Sequence, residues 1–430
     1  MLGADTHAVL TIIFIKPLTD RVRTTRTPTL YLAALVAATT LALSACGSPD
    51  SDGGETSASS RVAEQAGPTP RLALSYDGGV LVLDATTLEQ IADIPIDGFV
   101  RLNTAANGRN VFVSAAGGFR VIDMGTWTVQ HGDHGHSYTT APKLTELRFG
   151  GAEPGHVVPH DARIALFSDG TGDVDIVEPA ELADGKAKST RYTVPEPHHG
   201  VAVSRGDGSL VVSVGDEDSR TGVAIIDRDH KRIAGNDQCP GVHGEAAAAG
   251  GVLVFGCEDG LLVVDGNNIR KVASPDAYGR IGNQAGAESS PIVLGDYKTQ
   301  KDAKAEHPNR FTLTDTRTGS LRVVPFPASY SFRGLERGPN GEALILGTDG
   351  ALHLIDAETG AETAKIPVIE RWTEPTRWQD PMPNLFVLDS IAYVSDPATR
   401  TIHAVDLTER KRVNQAGLDK PTIELTGVTG

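Results

Sequence analysis

Cysteine is scarce in this chain, with three residues in 430. That is too few for a disulfide-built scaffold or a four-thiolate zinc site. Aromatic residues are only 5%, while glycine (47) and proline (25) are plentiful. No window of 18 residues sustains a helical period. Short strands joined by tight turns are therefore favoured over long helices. Positive charge is the third shortage: 39 Lys and Arg stand against 55 Asp and Glu, a formal net charge of −16. Nucleic-acid binding needs a basic surface that releases counterions, so a balance of this sign argues against it. Phosphate-binding loops, dinucleotide fingerprints and Gly-x-Ser-x-Gly elbows are also missing in the structural context they require. What remains is a globular, acidic chain, 40% hydrophobic and 22% charged.

The N-terminus points to export. Leu30 to Ala45 carries no charge and follows Arg21, Arg23 and Arg26. A basic flank before a short apolar run is a secretory signal, too short to span a bilayer comfortably. The run ends in Leu43-Ser44-Ala45-Cys46-Gly47, which looks like a lipobox, with cleavage before Cys46 and lipid on its thiol. Residues 1–45 are thus expected to be a signal peptide with an over-extended start, translation beginning near Val22. Residues 46–68 are rich in Ser, Gly and acidic residues and are expected to form a disordered tether. The expected location is extracytoplasmic, with the lipid as the sole membrane attachment, at the outer face of a bacterial cell membrane or in a periplasm.

From residue 69 to 430 the chain repeats itself. An apolar strand, a Gly/Asp turn and a second strand ending in an acidic residue recur, as in Leu72–Asp84 and Val111–Asp123. Eight such units occur, and the seven intervals from Asp84 to Asp406 give a mean period of about 46 residues. That period is the signature of a β-propeller, an all-β fold with one four-stranded sheet per repeat. Eight blades fit best and seven are the alternative, because the unit at Arg310–Val324 is irregular. The first hairpin has no strand before it, so Thr422–Thr426 is expected to close the ring.

Histidine is distributed in two patterns. His131-Gly132-Asp133-His134-Gly135-His136 packs three imidazoles and a carboxylate into six residues. Imidazole nitrogen suits zinc, and the aspartate adds charge neutralisation. The second pattern is periodic: His156, His199 and His243 stand 43 and 44 residues apart. That is the repeat period, so the three occupy one position in consecutive blades, just before the strands that line the channel. The equivalent positions further on, near Ala285-Gly286 and Arg333-Gly334, have no histidine. His160, His198 and Glu245 are close enough in sequence to serve as further ligands or supports. Imidazole sites point to Zn²⁺ and away from calcium, which takes oxygen ligands. An ordinary imidazole titrates near ~6.5, so zinc affinity is expected to fall steeply from pH about 7 to about 5, losing more than one proton per ion. Cys239 and Cys257 remain once Cys46 is lipidated, and in an exported chain they are expected to form a disulfide.

The secreted propeller with its HGDHGH loop, the segment PEPHHGVAV and the segment CPGVHGEA resembles the AztD family of extracytoplasmic zinc metallochaperones. The resemblance covers residues 69–430 and implies a protein, not an enzyme, that hands zinc to the solute-binding protein of a zinc ABC importer. The lipobox departs from a freely diffusing member and places this chain beside the importer. Two other classes fit the histidines less fully. One is a metal-dependent propeller hydrolase or lactonase, with Glu245 as general base. The other is a protein-interaction propeller.

Overall fold

The computed structural model describes residues 61–303 and 305–430. The signal peptide, Cys46 and the tether up to residue 60 lie outside the described residues. Among the described residues no helix is long and apolar enough to cross a membrane.

Eight sheets follow one another along the described chain, seven of four antiparallel strands and the fifth with the short strand Gly279–Arg280 added in parallel, each running from its innermost strand outward. In the first, Arg71–Tyr76, Gly79–Asp84 and Gln90–Pro95 follow one another from the inside out. Its innermost strand comes from the other end of the chain: Leu425–Val428 pairs with Arg71–Leu74, Val428 opposite Arg71. The closing strand therefore begins three residues after the predicted Thr422. Glu424, just before it, accepts bonds from Arg101 Nε (2.8 Å), the Leu102 N–H (2.8 Å) and Arg333 Nη2 (3.3 Å). Burial alone would raise this carboxyl. The two guanidinium groups and the amide outweigh it and hold it below its ordinary value. The last strand is thus tied to the inner strands of the second and seventh sheets.

The innermost strands of the following sheets are Arg101–Thr104, Pro154–His160, Ala202–Ser204, His243–Ala248, Gln284–Ala287, Tyr330–Arg337 and Asn384–Leu388. Valine, leucine, isoleucine and alanine from facing sheets fill the spaces between them. Val80, Val82, Val111 and Val113, for example, share one buried cluster. Each such side chain contributes roughly 1.5–3 kcal/mol by leaving water. The acidic residues that end the hairpins are turn caps: Asp84 Oδ1 accepts from the N–H of Thr86 and Thr87, and Asp406 Oδ1 from those of Thr408 and Glu409.

Two local expectations change. In the sixth sheet the middle strands are Ser290–Asp296 and Arg310–Asp315, joined by a long loop. The irregular unit at Arg310–Val324 is therefore the outer pair. The end of the expected tether is also ordered. Ala63–Gln65 pairs with His134–Thr139, which pairs in turn with Thr126–His131. The hairpin Thr126–Thr139 of this three-stranded sheet is an insertion between the third and fourth strands of the second propeller sheet.

Candidate metal centre

The third, fourth and fifth sheets present His156, His199 and His243 from their innermost strands or the residue turn just before them. Register slips steer two of the rings. Pairing of Pro154–His160 with its neighbour is irregular between Pro154 and Val157, and that of His243–Ala248 between His243 and Glu245. A bulge of this kind re-aims a side chain. Gly244, inside the second bulge, has φ of +72°, a conformation that side chains rarely adopt. Gly200 follows His199 and lies so close to Phe167 that a Cβ there would sit 2.2 Å from the ring.

The three imidazoles form a nearly equilateral triangle, with ring centroids 5.1, 5.2 and 5.4 Å apart. Their donor atoms lie within 4.8 Å of one another. A tetrahedral zinc with bonds of ~2.0–2.1 Å brings such nitrogens to about 3.3 Å, a small contraction. The far side of every ring is already held. His156 Nδ1 donates to the carbonyl oxygen of Gly200 (2.8 Å), and His243 Nδ1 to that of Gly282 (2.7 Å). A carbonyl only accepts, so the proton sits on Nδ1 and the Nε2 lone pair is free. His199 Nδ1 meets Asp169 Oδ2 at 2.6 Å, and the other carboxylate oxygen accepts the Gly200 N–H at 3.2 Å. Anchoring one ring nitrogen so that the other can bind metal is the usual support for a ligating histidine.

Electrostatics keep two of the rings neutral. Burial, then His243, His199 and Arg101, lower His156 to about 3. Burial likewise brings His243 to about 3, with His199, Arg280 and Arg220 acting in the same direction and the Gly282 carbonyl opposing. A cavity of about 720 Å³ opens over the triangle, lined also by Arg101, Glu245, Asn283, Gln284 and Trp378. Burial raises the Glu245 carboxyl to about 7.

The remaining predicted residues fall elsewhere. His198 is buried with both ring nitrogens occupied, by Glu196 O and Ser213 Oγ at 2.8 Å each, and is a structural residue. His160 ends the strand that bears His156 and bonds Ser204 O at 3.0 Å. Four residues of strand put it ~13 Å from His156. His131, His134 and His136 cluster at centroid spacings of 5.1–6.4 Å on the inserted hairpin, whose two-residue turn is Gly132-Asp133. There His134 Nδ1 meets Asp133 (3.1 Å) and His136 Nδ1 meets Glu64 (2.8 Å). Cys239, four residues before His243, and Cys257, at the end of the strand Val252–Cys257 that pairs with the strand of His243, form the expected disulfide. Sequence reasoning missed Asp169, which reads there as one more turn aspartate, and the Gly200 and Gly282 carbonyls, which no side-chain pattern marks.

A propeller with three converging imidazoles at the mouth of its channel is, as a class, a metal-binding β-propeller. The particular likeness is to AztD. The chain is 28% identical over 364 residues to the zinc chaperone AztD of Citrobacter koseri, covering 82% of this chain and 84% of that protein. The crystal structure of Citrobacter koseri AztD superposes with a TM-score of 0.74 at 27% identity, covering 84% of this chain and 98% of that one. The structure of apo AztD from the same organism gives 0.73 at 26% identity, with the same coverage. The resemblance read from the histidine segments thus extends to sequence and fold along most of the chain. Dihydro-heme d1 dehydrogenase NirN, at 11% identity and a TM-score of 0.54 over 84% of this chain, shares the fold alone. No family model matches the chain.

Proposed function

We propose that this protein is an extracytoplasmic zinc metallochaperone that holds one Zn²⁺ at His156, His199 and His243. It passes the ion to the solute-binding protein of a zinc ABC importer. The observation that carries this reading is the triangle itself: three converging rings with Nδ1 tied back, two of them held neutral by burial. The name of the relative supplies the class of function. Zinc is cargo here. Three protein ligands leave one position open toward the cavity, where a donor from the acceptor protein can enter before a histidine leaves. Stepwise exchange of that kind never exposes a bare ion. The hairpin of His131, Asp133, His134 and His136 is assigned to the transfer stage, and lipidated Cys46 to keeping the chaperone at the importer.

Replacing His199 and His243 together by alanine should abolish tight zinc binding in equilibrium dialysis while the circular dichroism of the propeller is retained. Unchanged stoichiometry would remove the ligand assignment. Turnover of a panel of esters and lactones by the zinc-loaded wild-type protein would replace the chaperone by a hydrolase.

A further inference from the structure

The rim of the triad cavity carries the one exposed aromatic side chain among the described residues. Trp378, on the loop between the seventh and eighth sheets, lines that cavity and is 45% exposed. The other exposed large apolar side chains, such as Ile91 and Val413, are aliphatic. The indole is braced in place. Phe99 meets it edge-on with ring centroids 5.3 Å apart, and the Arg101 guanidinium stands over it at 5.4 Å. Arg101, half-exposed, is anchored through Nε to the buried Glu424 at 2.8 Å. The loop itself is pinned where Trp372 Nε1 donates to the Gly347 carbonyl oxygen at 3.0 Å. A fixed indole and guanidinium lose little entropy when a partner covers them, and tryptophan and arginine are the residues that dominate interface energetics.

The charge around this mouth runs against that of the whole chain, which is −16. Arg220 Nη1 donates to the carbonyl oxygen of His199 at 3.4 Å. Arg280 Nη1 donates to that of Gly241, two residues before His243, at 3.3 Å. The nearby carboxylates are shared or spent. Glu424 serves Arg333 as well as Arg101, and Glu258 lies between Arg280 (4.0 Å) and Lys301 (3.0 Å). Asp169 holds His199. Guanidinium groups beside a cation site oppose the bound ion, so retention does not account for them. They do suit a negative surface. A protein that accepts Zn²⁺ presents electron-pair donors at its own metal site, and such a site is repelled by an acidic chain unless the region of contact is positive.

We propose that Trp378 and Arg101 form the docking surface for the zinc acceptor, the indole covered by an apolar side chain of that protein and the guanidinium by a carboxylate from the rim of its metal site. The proposal rests on the reading of this chain as a chaperone that delivers zinc. It places the acceptor over the open side of the triad, where the ion leaves.

Stopped-flow transfer from the full zinc-loaded chain to the apo solute-binding protein, at rising acceptor concentrations, tests the surface. Trp378→Ala should raise the half-saturating acceptor concentration about tenfold or more, and Arg101→Gln about three- to tenfold. Neither shift should be matched in the release of zinc to a small chelator, which needs no docking. Raising salt from about 0.05 to about 0.3 M should slow wild-type transfer at least threefold and Arg101→Gln less. Arg101 also bonds Glu424, so Trp378→Ala decides alone if Arg101→Gln loses its β-sheet circular dichroism. Half-saturation within twofold of wild type in the folded variants would overturn the docking surface and leave delivery in place. Wild-type transfer indifferent to salt would overturn the acidic character of the partner. Zinc that reaches the acceptor no faster than it dissociates from the wild-type chain would overturn delivery itself, and the docking surface with it.

Discussion

Two groups of three histidines occupy this molecule, and they differ in where they sit and in what holds them. His131, His134 and His136 lie within six residues, on an inserted hairpin. The side chains of His134 and His136 are 63% and 39% exposed, and their carboxylate partners, Asp133 and Glu64, are exposed too. His156, His199 and His243 are spread over 88 residues. Yet their rings are nearly equidistant and are fastened through Nδ1 to neighbouring sheets. Density in sequence gives proximity, but preorganisation comes from the scaffold. A side chain already fixed in its binding pose loses little further entropy when the ion arrives, and one in solvent must lose it then. That contrast assigns retention to the periodic set and exchange to the clustered set.

The largest expected effect comes from loosening the rigid set without touching a ligand. Asp169→Asn leaves the size of the side chain intact, but it cannot accept from both His199 Nδ1 and the Gly200 N–H as the carboxylate does. Zinc affinity should fall roughly 10–100-fold, the usual cost of losing a partner that orients a ligating histidine. Competition with a zinc indicator measures it. A change below threefold would mean that His199 is held by its backbone alone. The next effect tests the other region. Replacing His131, His134 and His136 by alanine should slow handover to the solute-binding protein several-fold, while zinc affinity stays within about twofold of wild type. Stopped-flow transfer and equilibrium titration on the same samples separate the two. Loss of affinity with unchanged transfer would exchange the roles of the two sets.

The sequence was most legible where geometry follows from the repeat. Spacing of 43 and 44 residues put three histidines at one register, and the alternation of each hairpin gave the sheets that carry them. The two cysteines were paired by elimination in an exported chain. Legibility ended where one residue of slip matters. The position in the sixth sheet that corresponds to His243 was sought near Ala285-Gly286, and the pairing of Gln284 with Gly295 puts it at Gln284. His198 and His199 are adjacent and identical in type. Only the fold shows that the first bonds Ser213 and Glu196 inside the protein and the second reaches the triad. Asp169 was hidden by resemblance to the many turn aspartates that cap hairpins and nothing more. Ala63–Gln65 carried no strand signal, since its partner is the inserted hairpin and all three residues are exposed.

The smallest expected effect is the one that most sharpens the contrast. An ordinary imidazole at ~6.5 would make zinc binding fall steeply between pH 7 and 5. Burial instead holds His156 and His243 at about 3, so protons do not compete for these two rings in that interval. The triad can then release at most one proton per zinc, where the sequence alone suggested more. Acid acts on the fold before it acts on these ligands. In the unfolded chain both rings take up protons near ~6.5, and in the folded one only near 3, so the unfolded state binds more protons throughout the range between. Stability contributed by the neutral rings is complete above about 6.5 and is lost as pH falls toward 3, at no more than ~1.4 kcal/mol per unit and per ring. Zinc titrations at pH 7, 6 and 5 should show a slope of one proton per zinc or less, and further acidification should release zinc together with the loss of β-sheet circular dichroism. Alkylating agents should change nothing in the unreduced protein, since Cys239 and Cys257 are bonded to each other. A slope above one proton, with the propeller still folded, would move the tight site from the triad to the exposed hairpin.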